Sequence, residues 1–196
     1  MEQIQRKTRR LELVLGPEDG GVKVDTLLRR RLHLSGTVIR RIKWLPDGIL
    51  VDGARVNTRF CPQEGQVLSV RLSDPERRSG ILPSPGPLDI VYEDGDVVVL
   101  NKAPGVPVHP GPGHYSDTIG NYLLYYYDQE GTEGDFHPVH RLDRGTSGLL
   151  VVARHPHAQE VLKEQLHTPQ FRRTYLAVCE GAPQPPAGLI DAPLGP

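Results

Sequence analysis

The chain is poor in cysteine and has no long apolar run. Its two cysteines, Cys61 and Cys179, lack the spacing of metal ligands and favour a reduced, cytosolic compartment. No apolar stretch approaches the ~20 residues that a membrane-spanning helix needs, and the first ten residues lack the apolar core of a signal peptide. We therefore expect a soluble cytoplasmic protein that has no membrane partner.

Several signatures of enzymes are also absent. The sequence contains no phosphate-binding P-loop, no dinucleotide-binding glycine pattern and no G-x-S-x-G hydrolase elbow. Eight histidines raise the question of a metal site, but no cysteine pair and no H-E-x-x-H pattern supports one. We expect neither a metal nor a cofactor.

The charges are unevenly distributed although the net charge is only -1. Residues 1–80 hold 16 basic residues against 10 acidic ones, a balance of +6, whereas residues 81–196 hold 7 against 14, a balance of -7. A basic first segment favours binding of a polyanion, although a solvated basic face would give the same count. With 37% hydrophobic and 24% charged residues, the composition is that of a globular chain of one or two domains.

The N-terminal part predicts two short helices and a few short strands. Residues 11–15 alternate like a strand, and residues 24–42 carry apolar side chains near helical spacing, with Ser35 as the expected cap of a second helix. Residues 49–51 and 67–72 are strand-like, and D-G at 52–53 is a hairpin turn signal.

This order of elements resembles the S-four domain, a small RNA-binding domain first named for a ribosomal protein, over residues 22–72. The chain departs from that family at Gly36, where a basic residue is usual, and at Asp52, where Asn is usual, so a weaker grip on RNA is expected. Trp44 has two interpretations, a base-stacking platform or, more commonly for a lone Trp after a helix, a core or staple residue. The resemblance implies RNA contacts for five cations of the helical segment, Arg30, Arg31, Arg40, Arg41 and Lys43.

Residues 73–87 are rich in Pro and Gly and predict a linker between two domains, one at 11–72 and one at 88–196. The second domain is predicted to contain a β-hairpin, two helices at 117–128 and 159–167, and an alternating strand at F-R-R-T-Y-L-A-V-C-E-G. The expected fold class is α+β: a small domain of two helices and short strands, then a mixed, largely antiparallel sheet flanked by helices.

One stretch, H-R-L-D-R-G-T-S-G-L-L-V at 140–151, carries the strongest functional signal. It sets a single carboxylate, Asp143, between the guanidinium groups of Arg141 and Arg144, followed by a turn and an apolar run suited to a buried strand. A lone R-x-D-R is usually an ordinary ion-paired surface group. An aspartate placed just before a rigid core strand is nevertheless well positioned for chemistry.

These twelve residues closely resemble the signature of RluA-type RNA pseudouridine synthases, which convert uridine in RNA into its carbon-glycoside isomer. The N-K-A-P-G segment and R-T-Y-L-A-V-C-E-G resemble two further segments of that family. The resemblance implies that Asp143 is the nucleophile, that Arg141 fills the gap left by the flipped uridine, and that Tyr175 stacks on the uracil. Arg144 and Lys102 are expected to hold the substrate or the floor of its site, without a metal, a cofactor or an energy source.

In that family a later R-x-H-Q-I-R-x-H segment brings an arginine onto the aspartate, and this sequence has no such segment. We therefore expect a truncated copy or fragment of the family. The predicted function is isomerisation of uridines in structured RNA, with ribosomal RNA as the first expected partner and transfer RNA as the second. The alternative is an RNA-binding protein without catalysis, and the oligomeric state is not predicted.

Overall fold

The computed structural model describes residues 6–182 and 184–193, so the last three residues of the predicted second domain lie outside it. The described residues form four helices and two antiparallel four-stranded sheets. This arrangement confirms the predicted α+β class. Within the described part of the chain, no helix is long and apolar enough to cross a membrane.

The first sheet contains β1 (Arg10–Val14), β2 (Ile49–Val51), β3 (Ala54–Arg55) and β4 (Val67–Arg71), in the order β1-β4-β2-β3. The hairpin between β2 and β3 turns at Asp52 and Gly53, whose φ values of 48° and 78° are those of a tight primed turn. The Ser35 hydroxyl accepts from the backbone N–H of Val38 at 3.2 Å, as its predicted role as a helix cap requires. The two helices of this half are α1 (Val24–Arg30) and α2 (Gly36–Ile42).

The second sheet contains β5 (Ile90–Glu93), β6 (Val97–Lys102), β7 (His137–Pro138) and β8 (Gly148–Ala153), in the order β5-β6-β8-β7. Strand β6 pairs with β8 in a register that joins Val97 to Ala153 and Lys102 to Gly148. The helix of this half that packs into its core begins at the cap Thr118, which exchanges hydrogen bonds with Asn121 in a capping box. The two helices of this half are α3 (Ile119–Gln129) and α4 (Pro156–Gln165).

Each sheet has its own apolar cluster, and polar groups join the two halves. The Arg9 guanidinium donates to Asp96 at 2.8 and 3.2 Å, and the buried Arg71 pairs with Glu133. In the Pro-rich segment, Arg77 donates to both carboxylate oxygens of Asp128 at 3.0 and 2.8 Å. Ionic contacts therefore fasten this segment to helix α3 (Ile119–Gln129), whereas the domain boundaries themselves stay a prediction.

The strand predicted for residues 171–181 does not form. Leu176 and Val178 are 99% and 100% exposed. An alternating segment becomes a strand only where a sheet edge offers backbone partners, and β8 is already paired with β6 and β7 on its two sides. Strand β7, at the edge, is only two residues long. The segment pairs with neither of the described edge strands of this sheet, β5 or β7, and its backbone stays irregular.

Two further expectations about burial are wrong. Trp44 is 75% exposed, so it is not a core residue. Leu149, at the start of the apolar run that follows the turn, is 60% exposed, because alternate side chains of β8 point to opposite faces of the sheet. Leu150 and Val152 supply the buried face of this strand.

Candidate active site

The signature residues form the turn between β7 and β8. Leu142 is 6% exposed and belongs to the apolar cluster of the second sheet, so it anchors the turn. Its neighbours Arg141, Asp143 and Arg144 are exposed. The backbone N–H of Thr146 donates to the carbonyl of Asp143 at 3.1 Å and closes the turn. The carboxylate is therefore presented to solvent from a fixed backbone.

Lys102 lies beneath this turn at the end of β6 and is 1% exposed. Its ammonium group donates to the carbonyls of Ala103 at 2.9 Å, Val106 at 2.8 Å and Arg144 at 3.2 Å. All three donor positions of a lysine are thus used. Because the side chain is buried, Lys102 supports the floor of the site and is shielded from solvent.

Asp143 acts electrostatically on this buried lysine. Burial lowers the pKa of Lys102, and the negative charge of Asp143 opposes that effect. The Lys102 ammonium is therefore a positive charge on the protein side of the exposed carboxylate.

The two flanking arginines do not pair with Asp143. The Arg144 guanidinium donates instead to the carbonyl of Gly105 at 3.0 Å, and the N–H of Gly105 donates to the carbonyl of Arg144 at 2.8 Å. Gly105 has a φ of 86°, a backbone conformation that favours glycine. This clasp ties the loop at 103–118 to the turn. Within residues 6–182 and 184–193, no ion pair involves Asp143.

His140 fixes the other end of the turn. Its Nε2 accepts from the backbone N–H of Val151 at 3.2 Å, which places the proton of the neutral ring on Nδ1. Burial is the largest cause of its lowered pKa, and the positive charge of Arg173 adds to it. The ring of Phe171 packs edge-on against His140 at 5.8 Å. The start of the 171–181 segment therefore lies beside the turn.

Tyr175 lies further along that segment. It is 59% exposed and stands in irregular backbone rather than in the strand that the sequence predicted. The structure thus brings Lys102, Arg141, Asp143 and Arg144 together in one region. Within the described chain, no hydrogen bond, ion pair or aromatic contact joins Tyr175 to that group.

Two of the five predicted RNA-binding cations are engaged in ion pairs with buried carboxylates. Arg31 pairs with Asp19, whose side chain is 3% exposed. Arg41 pairs with Asp74 at 2.5 Å, and the Asp74 side chain is also 3% exposed. A buried carboxylate left without its partner is costly, so these two arginines have a structural task.

The other three cations are less constrained. Arg30 and Arg40 are exposed, and the Lys43 ammonium lies 4.9 Å from the centroid of the exposed Trp44 ring. The guanidinium groups of Arg29 and Arg40 lie within 4 Å of the Cβ position that a side chain at Gly36 would occupy. Positive charge is therefore present where the resemblance places a basic residue. Arg29 also forms an ion pair with Asp25 at 2.9 Å, and the sequence assigned it no RNA contact.

Comparison with known proteins gives matches across this region. A family model described as RNA pseudouridylate synthase matches residues 96–196. The chain is 41% identical over 157 residues to YlyB of Bacillus subtilis, called an uncharacterized RNA pseudouridine synthase, which covers 78% of this chain and 52% of that protein. It is 31% identical over 193 residues to YhcT of the same organism, also called an uncharacterized RNA pseudouridine synthase, with 98% and 63% covered.

A third relative is the ribosomal large subunit pseudouridine synthase D of Xylella fastidiosa, 40% identical over 144 residues, with 73% of this chain and 43% of that protein covered. The chain spans between about two fifths and two thirds of the length of these three relatives. The family match covers half of the chain and includes the Asp143 turn, Lys102 and Tyr175. The chain belongs to the RNA pseudouridylate synthase family.

Proposed function

We propose that this chain carries the active site of an enzyme that isomerises uridine to pseudouridine in RNA, with Asp143 as the nucleophile. The observation that carries the proposal is the presentation of Asp143. Its carboxylate is exposed on a turn that buried Leu142 anchors and the Lys102 ammonium braces, inside the region that the family model matches. A catalytic group held by a rigid support in this way is positioned without further rearrangement.

The proposed reaction conserves every atom of the uridine. The bond between N1 and C1′ breaks, a bond between C5 and C1′ forms, C5 loses its proton and N1 gains one. The reaction is therefore an isomerisation and requires no redox partner and no energy source. A covalent bond between Asp143 and the nucleotide would divide it into two easier steps, during which the detached uracil turns.

Two further residues receive roles from the family resemblance. Extrusion of a base from its stack costs a few kcal/mol, and a group that fills the gap lowers this cost. Arg141 is exposed next to the anchored Leu142, so its planar guanidinium is available for insertion. Tyr175 is assigned to the uracil ring, on the resemblance alone. Lys102 and Arg144 hold the turn and the 103–118 loop through backbone carbonyls.

For the substrate we propose structured RNA, and ribosomal RNA before transfer RNA. A relative from Xylella fastidiosa bears the name of a ribosomal large subunit pseudouridine synthase. Two exposed cations of the N-terminal half, Arg30 and Arg40, and the half-buried Lys43 suit the phosphate backbone. The cytoplasmic location stays a prediction from the sequence.

The test is a pseudouridine map of RNA treated with the purified chain. Total RNA from a strain that lacks the enzyme is incubated with the protein, and carbodiimide-dependent primer-extension stops are then compared. New stops are expected with the unchanged chain and with Asp89→Ala, a control at another exposed aspartate, but not with Asp143→Ala. Stops in ribosomal RNA would also support the substrate. Stops that persist in Asp143→Ala would refute the assigned nucleophile.

A further inference from the structure

A cleft of about 410 Å³ lies between residues 79–82 and the loop at 103–118, which also contacts the Asp143 turn through Gly105. We call it the base cleft. Its volume falls within the range of small-ligand sites, roughly 300–1,000 Å³. Among the described residues, no acidic side chain lines it. The lining residues are Ser79, Gly80, Ile81, Leu82, His109, Pro110, Tyr115 and Phe136.

Buried polar groups hold the walls of the base cleft in place. The Asn121 side chain, 0% exposed, donates through Nδ2 to the carbonyl of Leu82 at 2.8 Å and to that of Tyr115 at 2.9 Å, on two different walls. The carboxylate of buried Asp135 accepts from the backbone N–H of Ser79 at 2.9 Å. The cleft is therefore braced from beneath by side chains whose hydrogen bonds depend on its shape.

The cleft presents aromatic surfaces. The His109 ring packs edge-on against Phe136 with the centroids 5.1 Å apart, and Tyr115 is 72% exposed at the rim. Exposed large aromatic groups at a concave surface are typical of a binding site. Nucleobases stack on such rings whatever their sequence, because every base has a π-face.

The surroundings of His109 are positively charged. Burial is the first cause of its lowered pKa, and the charges of Arg141 and Lys163 add to it. A neutral imidazole carries one donor and one acceptor, so it can hydrogen-bond to the edge of a base. The neighbouring cations suit the phosphates on either side of that base.

One loop connects the base cleft to the Asp143 turn. Residues 103–118 contact Arg144 through Gly105 and supply His109 and Tyr115 to the cleft. The charge of Arg141, the residue proposed to fill the gap left by the target uridine, acts on His109. A strand of RNA whose uridine reaches Asp143 would therefore pass close to the cleft.

We propose that the base cleft binds a second unstacked nucleobase of the same RNA strand, next to the target uridine, and so contributes to the choice of site. This inference rests on the proposed function for the identity of the strand. The aromatic walls, the absence of acidic lining residues and the cationic surroundings favour a nucleobase as the occupant. His109 and Tyr115 are the residues that would contact it.

The test measures binding of fluorescein-labelled single-stranded six-nucleotide RNAs, A6, C6 and U6, by fluorescence anisotropy. Loss of one base–aromatic stack corresponds to about a fivefold or greater loss of affinity. His109→Ala and Tyr115→Ala are expected to weaken the best-bound hexamer by at least that factor. Tyr125→Ala, at an exposed tyrosine of α3 outside the cleft, is expected to bind like the unchanged chain.

A hexamer that carries abasic sites separates base binding from phosphate binding. We expect it to bind weakly to the unchanged chain and to show no difference between variants. The proposal is overturned if both cleft variants bind every hexamer as the unchanged chain does, if the abasic hexamer binds equally well, or if the unchanged chain binds none of them. Melting curves check that both variants fold: Tyr115→Ala is expected to match the unchanged chain because Tyr115 is 72% exposed, and His109→Ala to lose no more than its edge contact with Phe136.

Asp143→Ala distinguishes this proposal from the proposed function. It is expected to bind the hexamers like the unchanged chain while it forms no pseudouridine. If the cleft variants weaken hexamer binding but the unchanged chain forms no pseudouridine, the base cleft proposal is supported and the proposed reaction is refuted. If pseudouridine forms only when Asp143 is present but both cleft variants keep the affinity of the unchanged chain, the proposed reaction stands and the base cleft proposal is refuted.

Discussion

Replacement of the buried Lys102 by Met would remove the support under the Asp143 turn. Met has nearly the same length, so the apolar stem of the side chain keeps its packing. What is lost is the ammonium group and its hydrogen bonds to the carbonyls of Ala103, Val106 and Arg144. The expected result is a folded but less stable protein whose turn is no longer fixed.

The size of the effect follows from those three bonds. A buried polar group left without a partner costs about 1–3 kcal/mol. Ala103 and Arg144 are exposed residues, so water can replace part of the hydrogen bonding that their carbonyls lose. Removal of the desolvated charge of Lys102 gives back a further part. We therefore expect the free energy of unfolding to fall by about 2–4 kcal/mol, which is less than three full penalties.

The assay is thermal and urea unfolding followed by circular dichroism, with Lys163→Met as the control at an exposed lysine of α4. For a chain of this size each kcal/mol shifts Tm by about 2–4 °C, so a drop of roughly 5–15 °C is expected for Lys102→Met. The control should stay within about 0.5 kcal/mol of the unchanged chain. Equal melting of the two variants would refute the supporting role of Lys102.

Two further predictions concern pH and packing. His155 caps α4 by accepting a hydrogen bond from the backbone N–H of Ala158, and burial lowers the pKa of its imidazole. The histidine of the unfolded chain therefore takes up a proton at a higher pH than that of the folded chain. Stability should fall as the pH drops below about 6.5. His155→Asn keeps a capping side chain and should flatten the fall in Tm between about pH 7.5 and 5.5, whereas an unchanged slope would contradict this. Gly86→Ala would place a Cβ 2.1 Å from the Tyr122 ring, so a loss of about 1–3 kcal/mol in urea unfolding is expected. Gly145→Ala, where a Cβ meets nothing within 4 Å, is the matched control, and equal stability of the two would refute the packing argument.

Features set by neighbouring residues could be predicted from the sequence. The cap at Ser35 and the hairpin turn at Asp52 and Gly53 follow from side-chain and backbone preferences that act within a few residues. The apolar run that ends at Ala153 likewise predicted a strand. These elements determine the α+β class and the position of the Asp143 turn.

Features set by distant partners could not be predicted in this way. Arg31 and Arg41 read as two members of a basic surface, yet their partners Asp19 and Asp74 are buried carboxylates in other segments. The burial of Lys102 depends on three carbonyls, one of them 42 residues away. A charge pattern along the sequence carries no information about which cations acquire such partners.

The strand expected at 171–181 shows the same limit in the backbone. Its alternation satisfies the local rule for a strand, but pairing requires a free sheet edge. Strand β8 has β6 and β7 on its two sides, and the segment pairs with neither edge strand of this sheet, β5 or β7, so Leu176 and Val178 stay exposed. The role of Tyr175 in this segment therefore stays a prediction.

Release of tritium from RNA labelled at carbon 5 of its uridines tests the central claim most directly. Formation of the bond between C5 and C1′ expels the hydrogen of C5, so each turnover releases one label to water, whichever uridine is the target. The account predicts release by the unchanged chain and none by Asp143→Asn, which preserves the size of the side chain. No release by a folded chain that binds RNA, or equal release by both proteins, would contradict it.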